Sequence, residues 1–202
     1  MEERNYLKDI NDIKDLMNKS TQFISLSGLS GVLAGVYALA GAYAVKELLA
    51  ANDNYEITLG GTAFKWILAT AILVLALSVA TAYIMTHFKA KKANETVWNS
   101  TSRRMAINFL IPLVTGGIFI LLLLRQQAYG LIVPAMLIFY GLSCVNASKY
   151  TLRDVRYLGI TVVILGLVAT AFPGYGLEFW ALGFGVCHII YGSMMHYKYD
   201  RN

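Results

Sequence analysis

Six long apolar stretches, separated by short polar segments, dominate the pattern of this chain. A helix needs about 20 mostly apolar residues to cross the hydrocarbon core of a bilayer. The six candidate spans are residues 23–49, 66–87, 106–124, 129–147, 157–172 and 177–197. The pattern therefore predicts an all-α fold. We expect a polytopic membrane protein whose six transmembrane helices form one bundle over residues 22–202.

The first span carries small residues at intervals of four, which places them in rows along a helix. One row holds Ser27, Gly31 and Gly35, and the other holds Ser30, Ala34, Ala38 and Ala42. Rows of small side chains let two helix backbones approach closely inside a membrane. We therefore predict that this span is the central packing helix of the bundle.

Residues 1–21 precede the first span and carry most of the charge of the N-terminal region. Tyr6, Ile10, Ile13 and Met17 are spaced four, three and four apart, which is one face of a helix. We predict a cytoplasmic amphipathic helix here. Its acidic and basic residues nearly cancel, whereas attachment to anionic lipid favours a basic excess. Docking on protein, either the bundle itself or a partner, is therefore the preferred interpretation.

Lysine and arginine predict the orientation of the spans, because cytoplasmic loops retain positive charge. The N-terminal segment, the second and fourth loops and the C-terminal tail together hold 14 of these residues. The other side holds Lys46, Lys65 and Arg125. This alternation predicts that both termini are cytoplasmic.

Composition supports a membrane protein and excludes several other classes. Hydrophobic residues make up 57% of the chain and charged residues 14%, whereas soluble domains average about 25% charged. The net charge of +5 does not indicate nucleic-acid binding, because the basic residues lie between apolar spans and form no stripe. Cys144 and Cys187 lie inside spans without metal-ligand spacing. We therefore expect no metal, no cofactor and no nucleic-acid partner.

Polar side chains within the spans are the candidate functional residues. No Asp, Glu, Lys or Arg lies at the middle of a span, which argues against a carboxylate-driven pump. Counted from the predicted cytoplasmic ends, the polar groups concentrate in that half of the bundle. We hypothesise that they line a cytoplasm-facing crevice, and the alternative is that each forms a separate interhelical hydrogen bond. The candidates are Ser27, Ser30, Asn108, Cys144, Asn146 and His188.

His188 leaves several interpretations open, namely a proton relay, a ligand, a base or a hydrogen-bonded packing residue. Residues 28–31 spell G-x-S-G, and with a histidine on the sixth span this resembles the rhomboid intramembrane proteases. In that family the motif lies on the fourth core helix, whereas here it lies on the first. A bis-histidine haem site would have His87 with His196 as its only candidate pair. We assign no catalytic residue.

Two C-terminal stretches carry a further resemblance. They are residues 145–151 (VNASKYT) with 154–159 (DVRYLG), and residues 172–176 (FPGYG) with 179–181 (FWA) and 188–192 (HIIYG). With the stretch around residues 25–43, they resemble an uncharacterised family of small bacterial six-helix inner-membrane proteins. The resemblance implies a multi-pass protein of the bacterial cytoplasmic (inner) membrane. It transfers no activity.

These observations favour a non-enzymatic membrane module that acts through self-assembly as a homo-oligomer or through a cytoplasmic protein partner. The first alternative is a small-solute transporter or channel that uses the crevice. The second is an intramembrane hydrolase or haem protein that uses His188. We also predict that Asp154, set among Lys149, Arg153 and Arg156, forms an ion pair that holds the fourth and fifth helices together.

Overall fold

The computed structural model describes residues 22–51, 61–92 and 96–200 as a bundle of six helices, each long and apolar enough to cross a membrane. The helices are α1 (Gly28–Ala50), α2 (Thr62–Lys92), α3 (Ser100–Arg125), α4 (Ile132–Ala147), α5 (Asp154–Ala171) and α6 (Gly176–Asp200). The predicted all-α, six-helix architecture is confirmed. The predicted amphipathic helix over residues 1–21 lies outside the described residues.

The start of α1 differs from the prediction, which placed it at Phe23. Residues 22–27 are not helical, and Phe23 forms an isolated parallel bridge with Thr151. The Phe23 amide donates to the Tyr150 carbonyl at 2.8 Å, and the Thr151 hydroxyl donates to the Phe23 carbonyl at 2.8 Å. Because these bonds hold the backbone extended against the α4–α5 connection, the helix begins only at Gly28.

Local sequence explains the other helix boundaries. Asn99 and Ser102 form a reciprocal capping box, in which each side chain accepts from the other residue's amide at 2.8 Å, so α3 begins in polar sequence before its apolar span. Pro112 lies inside α3 without ending it. Pro134 lies in the first turn of α4, where amide groups have no helical partner and proline is tolerated. Neither proline breaks its helix.

The helices pack as a chain of neighbours in which α2 and α3 are outermost. α1 packs against α2 and α6, α3 packs against α4, and α4 packs against α5, which also contacts α6. The backbones of α1 and α6 approach each other closely where the two helices cross. A Cβ added at Gly192 would lie 2.6 Å from the Val32 amide nitrogen and 2.8 Å from the Gly28 carbonyl oxygen. The two backbones are therefore in contact, as the small residues of the first span predict.

One end of the bundle, which we call the basic end, is where α1, α3 and α5 begin and α2, α4 and α6 end. Hydrogen bonds from the Gly28 amide to the Asp200 carboxylate and from the Lys198 ammonium group to the Asp154 carboxylate join these termini. The described cations at this end are Lys89, Lys91, Lys92, Arg103, Arg104, Lys149, Arg153, Arg156 and Lys198. Which side of a membrane this end faces stays a prediction.

Candidate functional site

His188 is the candidate residue with the most defined surroundings. It lies on α6, two residues after the end of a π-helical segment, Ala181–Val186, and it is only 8% exposed. Its Nδ1 atom lies 2.9 Å from the Gly183 carbonyl oxygen, and its Nε2 atom lies 2.6 Å from the Tyr140 hydroxyl. A carbonyl oxygen only accepts, so Nδ1 carries a proton. In the neutral ring, Nε2 then accepts from Tyr140.

Aromatic rings surround this hydrogen-bonded pair. The Phe184 ring stacks on His188 with centroids 6.0 Å apart, and the Tyr140 and Phe184 centroids are 5.0 Å apart. Tyr140 also packs against the buried cluster that contains Cys144. With both ring nitrogens in use, His188 would have to give up a bond to coordinate a ligand. The arrangement can hold a neutral imidazole and exchange a proton with one phenol.

Sequence reasoning identified His188 but missed Tyr140. The two residues are 48 positions apart and lie on α6 and α4, so no local pattern links them. The π-helical segment was also missed, and such segments are rare and concentrate at functional sites. Gly183 and Gly185, both buried within it, are the visible signal, although glycine also marks ordinary close packing.

Ser27 and Ser30 lie at the beginning of α1 and bond locally. The Ser30 hydroxyl donates to the Ser27 carbonyl at 2.7 Å, and the Ser27 hydroxyl lies 3.4 Å from an Asp200 carboxylate oxygen. Ser30 and His188, the two residues that a hydrolase of the rhomboid type would use, therefore have different hydrogen-bond partners. The geometry of the described residues gives no support to that alternative.

Asn108 and Asn146 join α3 to α4. The Asn146 amide donates to the Asn108 carbonyl at 2.8 Å, and the Asn108 amide donates back along its own helix to the Arg104 carbonyl at 2.9 Å. Cys144 is buried among Leu152, Val155 and Met195. The six candidate residues thus fall into three groups: the start of α1, the α3–α4 contact, and the Cys144–Tyr140–His188 region. Their common crevice stays a prediction.

An additional polar cluster at the basic end, which sequence reasoning missed, centres on Asp200. Its carboxylate accepts from the Gly28 amide at 2.9 Å and from His196 Nδ1 at 3.2 Å, and forms an ion pair with Lys89 at 2.6 Å. Lys89 also donates to the Leu26 carbonyl at 3.0 Å. The carboxylate thereby accepts a hydrogen bond from the first amide of α1, places a negative charge at the N-terminus of that helix, and joins α1, α2 and α6.

The predicted ion pair of Asp154 has a different partner and a different effect. Asp154 is buried and lies 3.2 Å from Lys198, near the end of α6. The prediction that it pairs with Lys149, Arg153 or Arg156 and joins α4 to α5 is therefore wrong. The pair links α5 to α6, because the chain end returns to the basic end beside the first turn of α5.

The remaining histidines do not form a common site in the described part of the chain. His87 contacts Tyr83 and Phe88, whereas His196 bonds to Asp200. Within residues 22–51, 61–92 and 96–200, no cluster of three or more His, Cys, Asp or Glu could hold a metal ion. Comparison of the whole chain with known protein families, curated proteins and solved structures finds no match.

Proposed function

We propose that the protein is a non-enzymatic integral membrane module that acts by assembling with a second copy of itself through α2. The observation that supports this most directly is a row of exposed alanines on the outer face of α2. Ala69, Ala76 and Ala80 are all exposed, and their spacing of seven and four places them on one helical face. In lipid, helices associate through such small residues because backbones can then approach closely.

The opposite face of α2 already has a partner. Val74 meets Gly41 of α1, and the Thr81 hydroxyl lies 3.3 Å from that of Tyr37. Successive helical residues are 100° apart, so Ala76 and Ala80 point away from this seam. A second copy can therefore use the alanine row without disturbing the α1–α2 contact.

Association of full-length protein in lipid vesicles tests the proposal. Energy transfer between copies tagged at the C-terminus is measured as lipid dilutes the protein. We expect Ala76→Leu to weaken association about tenfold, because overpacking a close contact costs on the order of 1–3 kcal/mol. Ala40→Leu is the matched control, because Ala40 is also exposed near the middle of its helix, α1.

Two results would contradict self-assembly through α2. One is a wild-type protein that remains monomeric at every protein-to-lipid ratio, and the other is an equal effect of Ala76→Leu and Ala40→Leu. Monomeric protein that associates only after a soluble acidic protein is added would support the cytoplasmic-partner alternative instead.

A small-solute transporter is the second candidate, and the π-helical segment before His188 is the observation that favours it. This function requires water to reach the candidate crevice. In a Cys144→Ala/Cys187→Ala background, Ser30→Cys would then react with a membrane-impermeant thiol reagent.

We propose the closed module as the better supported function, because the polar pairs described above bond to each other. The closed module predicts that Ser30→Cys stays unlabelled.

A further inference from the structure

The beginning of α3 carries a pocket that the proposed self-assembly does not use. It measures about 410 Å³ and is lined by Trp98, Asn99, Ser100, Arg103 and Arg104. The capping box of Asn99 and Ser102 fixes the turn that forms it. The Trp98 side chain is 72% exposed, so its ring lies open at the edge of the pocket.

The pocket has a positive charge that no described acidic residue neutralises. Arg103 and Arg104 are both exposed, and the described ion pairs of Asp154 and Asp200 are with Lys198, Lys89 and His196. The amide of Ser102 is occupied by the Asn99 side chain. The two guanidinium groups are the charged donors that line the pocket.

The position of the pocket along α3 indicates which anion it meets. The apolar run of α3 begins at Met105, directly after Arg104, or about 1.5 Å further along the helix axis. If α3 spans the membrane, the guanidinium groups lie at the level of the lipid phosphates. Tryptophan is enriched at this level because its ring is apolar and its indole N–H is polar.

We propose that this pocket binds the phosphate of an anionic phospholipid headgroup, with Arg103 and Arg104 as donors and Trp98 packed against the glycerol region. Arginine suits this role because its planar donors bind phosphate oxygens in pairs. The inference rests on the proposed membrane insertion of α3 and is independent of assembly through α2.

Binding of phosphatidylglycerol to the full-length protein tests this site. Native mass spectrometry from mild detergent counts bound lipid, and the thermal midpoint is measured in vesicles of phosphatidylcholine with and without phosphatidylglycerol. We expect Arg103→Gln/Arg104→Gln to lower affinity for phosphatidylglycerol about tenfold or more, since the loss of a charge-assisted hydrogen bond to phosphate weakens binding by about a factor of ten. Unchanged stability in pure phosphatidylcholine shows that the variant is folded.

Lys91→Gln/Lys92→Gln is the matched control, because it removes the same charge from the same end of the bundle but outside the pocket. We expect it to change affinity only slightly. Equal losses in the two double variants, or no preference for phosphatidylglycerol over phosphatidylcholine, would overturn the proposal. Full competition by inorganic phosphate would identify a soluble anion site instead, and occupation by an acidic peptide would identify a protein site.

The outcomes for the two proposals are separable. Ala76→Leu should weaken self-association and leave phosphatidylglycerol binding unchanged, whereas Arg103→Gln/Arg104→Gln should weaken phosphatidylglycerol binding and leave self-association unchanged. A protein that stays soluble without detergent would contradict both proposals at once.

Discussion

α1 and α2 are neighbouring apolar helices that differ sharply in burial. In the most apolar 18 residues of α1, 39% are buried, whereas the corresponding share in α2 is 0%. α1 has small residues where it meets α6, and α2 has bulky residues such as Leu73 and Leu75 exposed. For helices that span a membrane, as we propose, apolar character alone does not drive burial, because acyl chains are as apolar as leucine. The small residues at the α1–α6 contact therefore explain the central position of α1.

The strongest test of this comparison enlarges a residue at the α1–α6 contact. Gly192→Leu should destabilise the fold by about 3 kcal/mol or more, because its side chain would overlap backbone atoms that cannot move independently. Unfolding of purified protein by SDS in mixed micelles measures the change. Gly117→Leu is the control, because a Cβ at Gly117 has no other atom within 4 Å. A comparable loss at Gly117 would mean that contact with α1 is not the cause.

The second test concerns how α2 is held in place. Lys89→Met removes the cation from Asp200 and the donor to the Leu26 carbonyl, and we expect it to cost about 2 kcal/mol. Lys91→Met removes an exposed lysine two residues further along the same helix and should have almost no effect. The same SDS titration compares the two variants. If both behave alike, the polar contact at the basic end does not hold α2.

The third test compares a buried hydroxyl with an exposed one. Tyr140→Phe removes the donor to His188 and should cost about 1 kcal/mol, since interhelical hydrogen bonds in membranes average roughly 0.6 and reach about 1.7 kcal/mol. Tyr43→Phe, on the exposed face of α1, should change stability little. A double-mutant cycle of Tyr140→Phe with His188→Asn isolates the pair. A coupling energy of zero would show that the two side chains act independently.

Sequence patterns predicted the fold well because hydrophobic length and small-residue rows are local properties. All six spans and the packing role of α1 follow from residues within one helix. The helix start at Gly28 was not predictable, because Phe23 is held extended by Thr151 from a distant segment. Nor could the pairing of Asp154 with Lys198 be read from neighbouring charges.

The candidate site was less predictable for the same reason. His188 stands out as a polar residue in an apolar span, and its depth can be counted from the sequence. Its partner Tyr140 cannot be identified in this way, because that contact depends on the crossing of α4 and α6 and on the π-helical segment. Asp200 lies in the polar C-terminal tail, where no local pattern marks it, although its carboxylate accepts from the first amide of α1.

The smallest expected effect on stability is that of shortening an exposed leucine of α2. Leu75→Ala should change the free energy of unfolding by less than about 0.5 kcal/mol, because detergent or lipid fills the space that the side chain leaves. Leu137→Ala, at a fully buried position, should cost about 2–5 kcal/mol by leaving a cavity. SDS titration at protein concentrations that keep the chain monomeric measures both. A large loss at Leu75 would show that α2 is stabilised by contacts beyond α1, and the size-based account of burial would then fail.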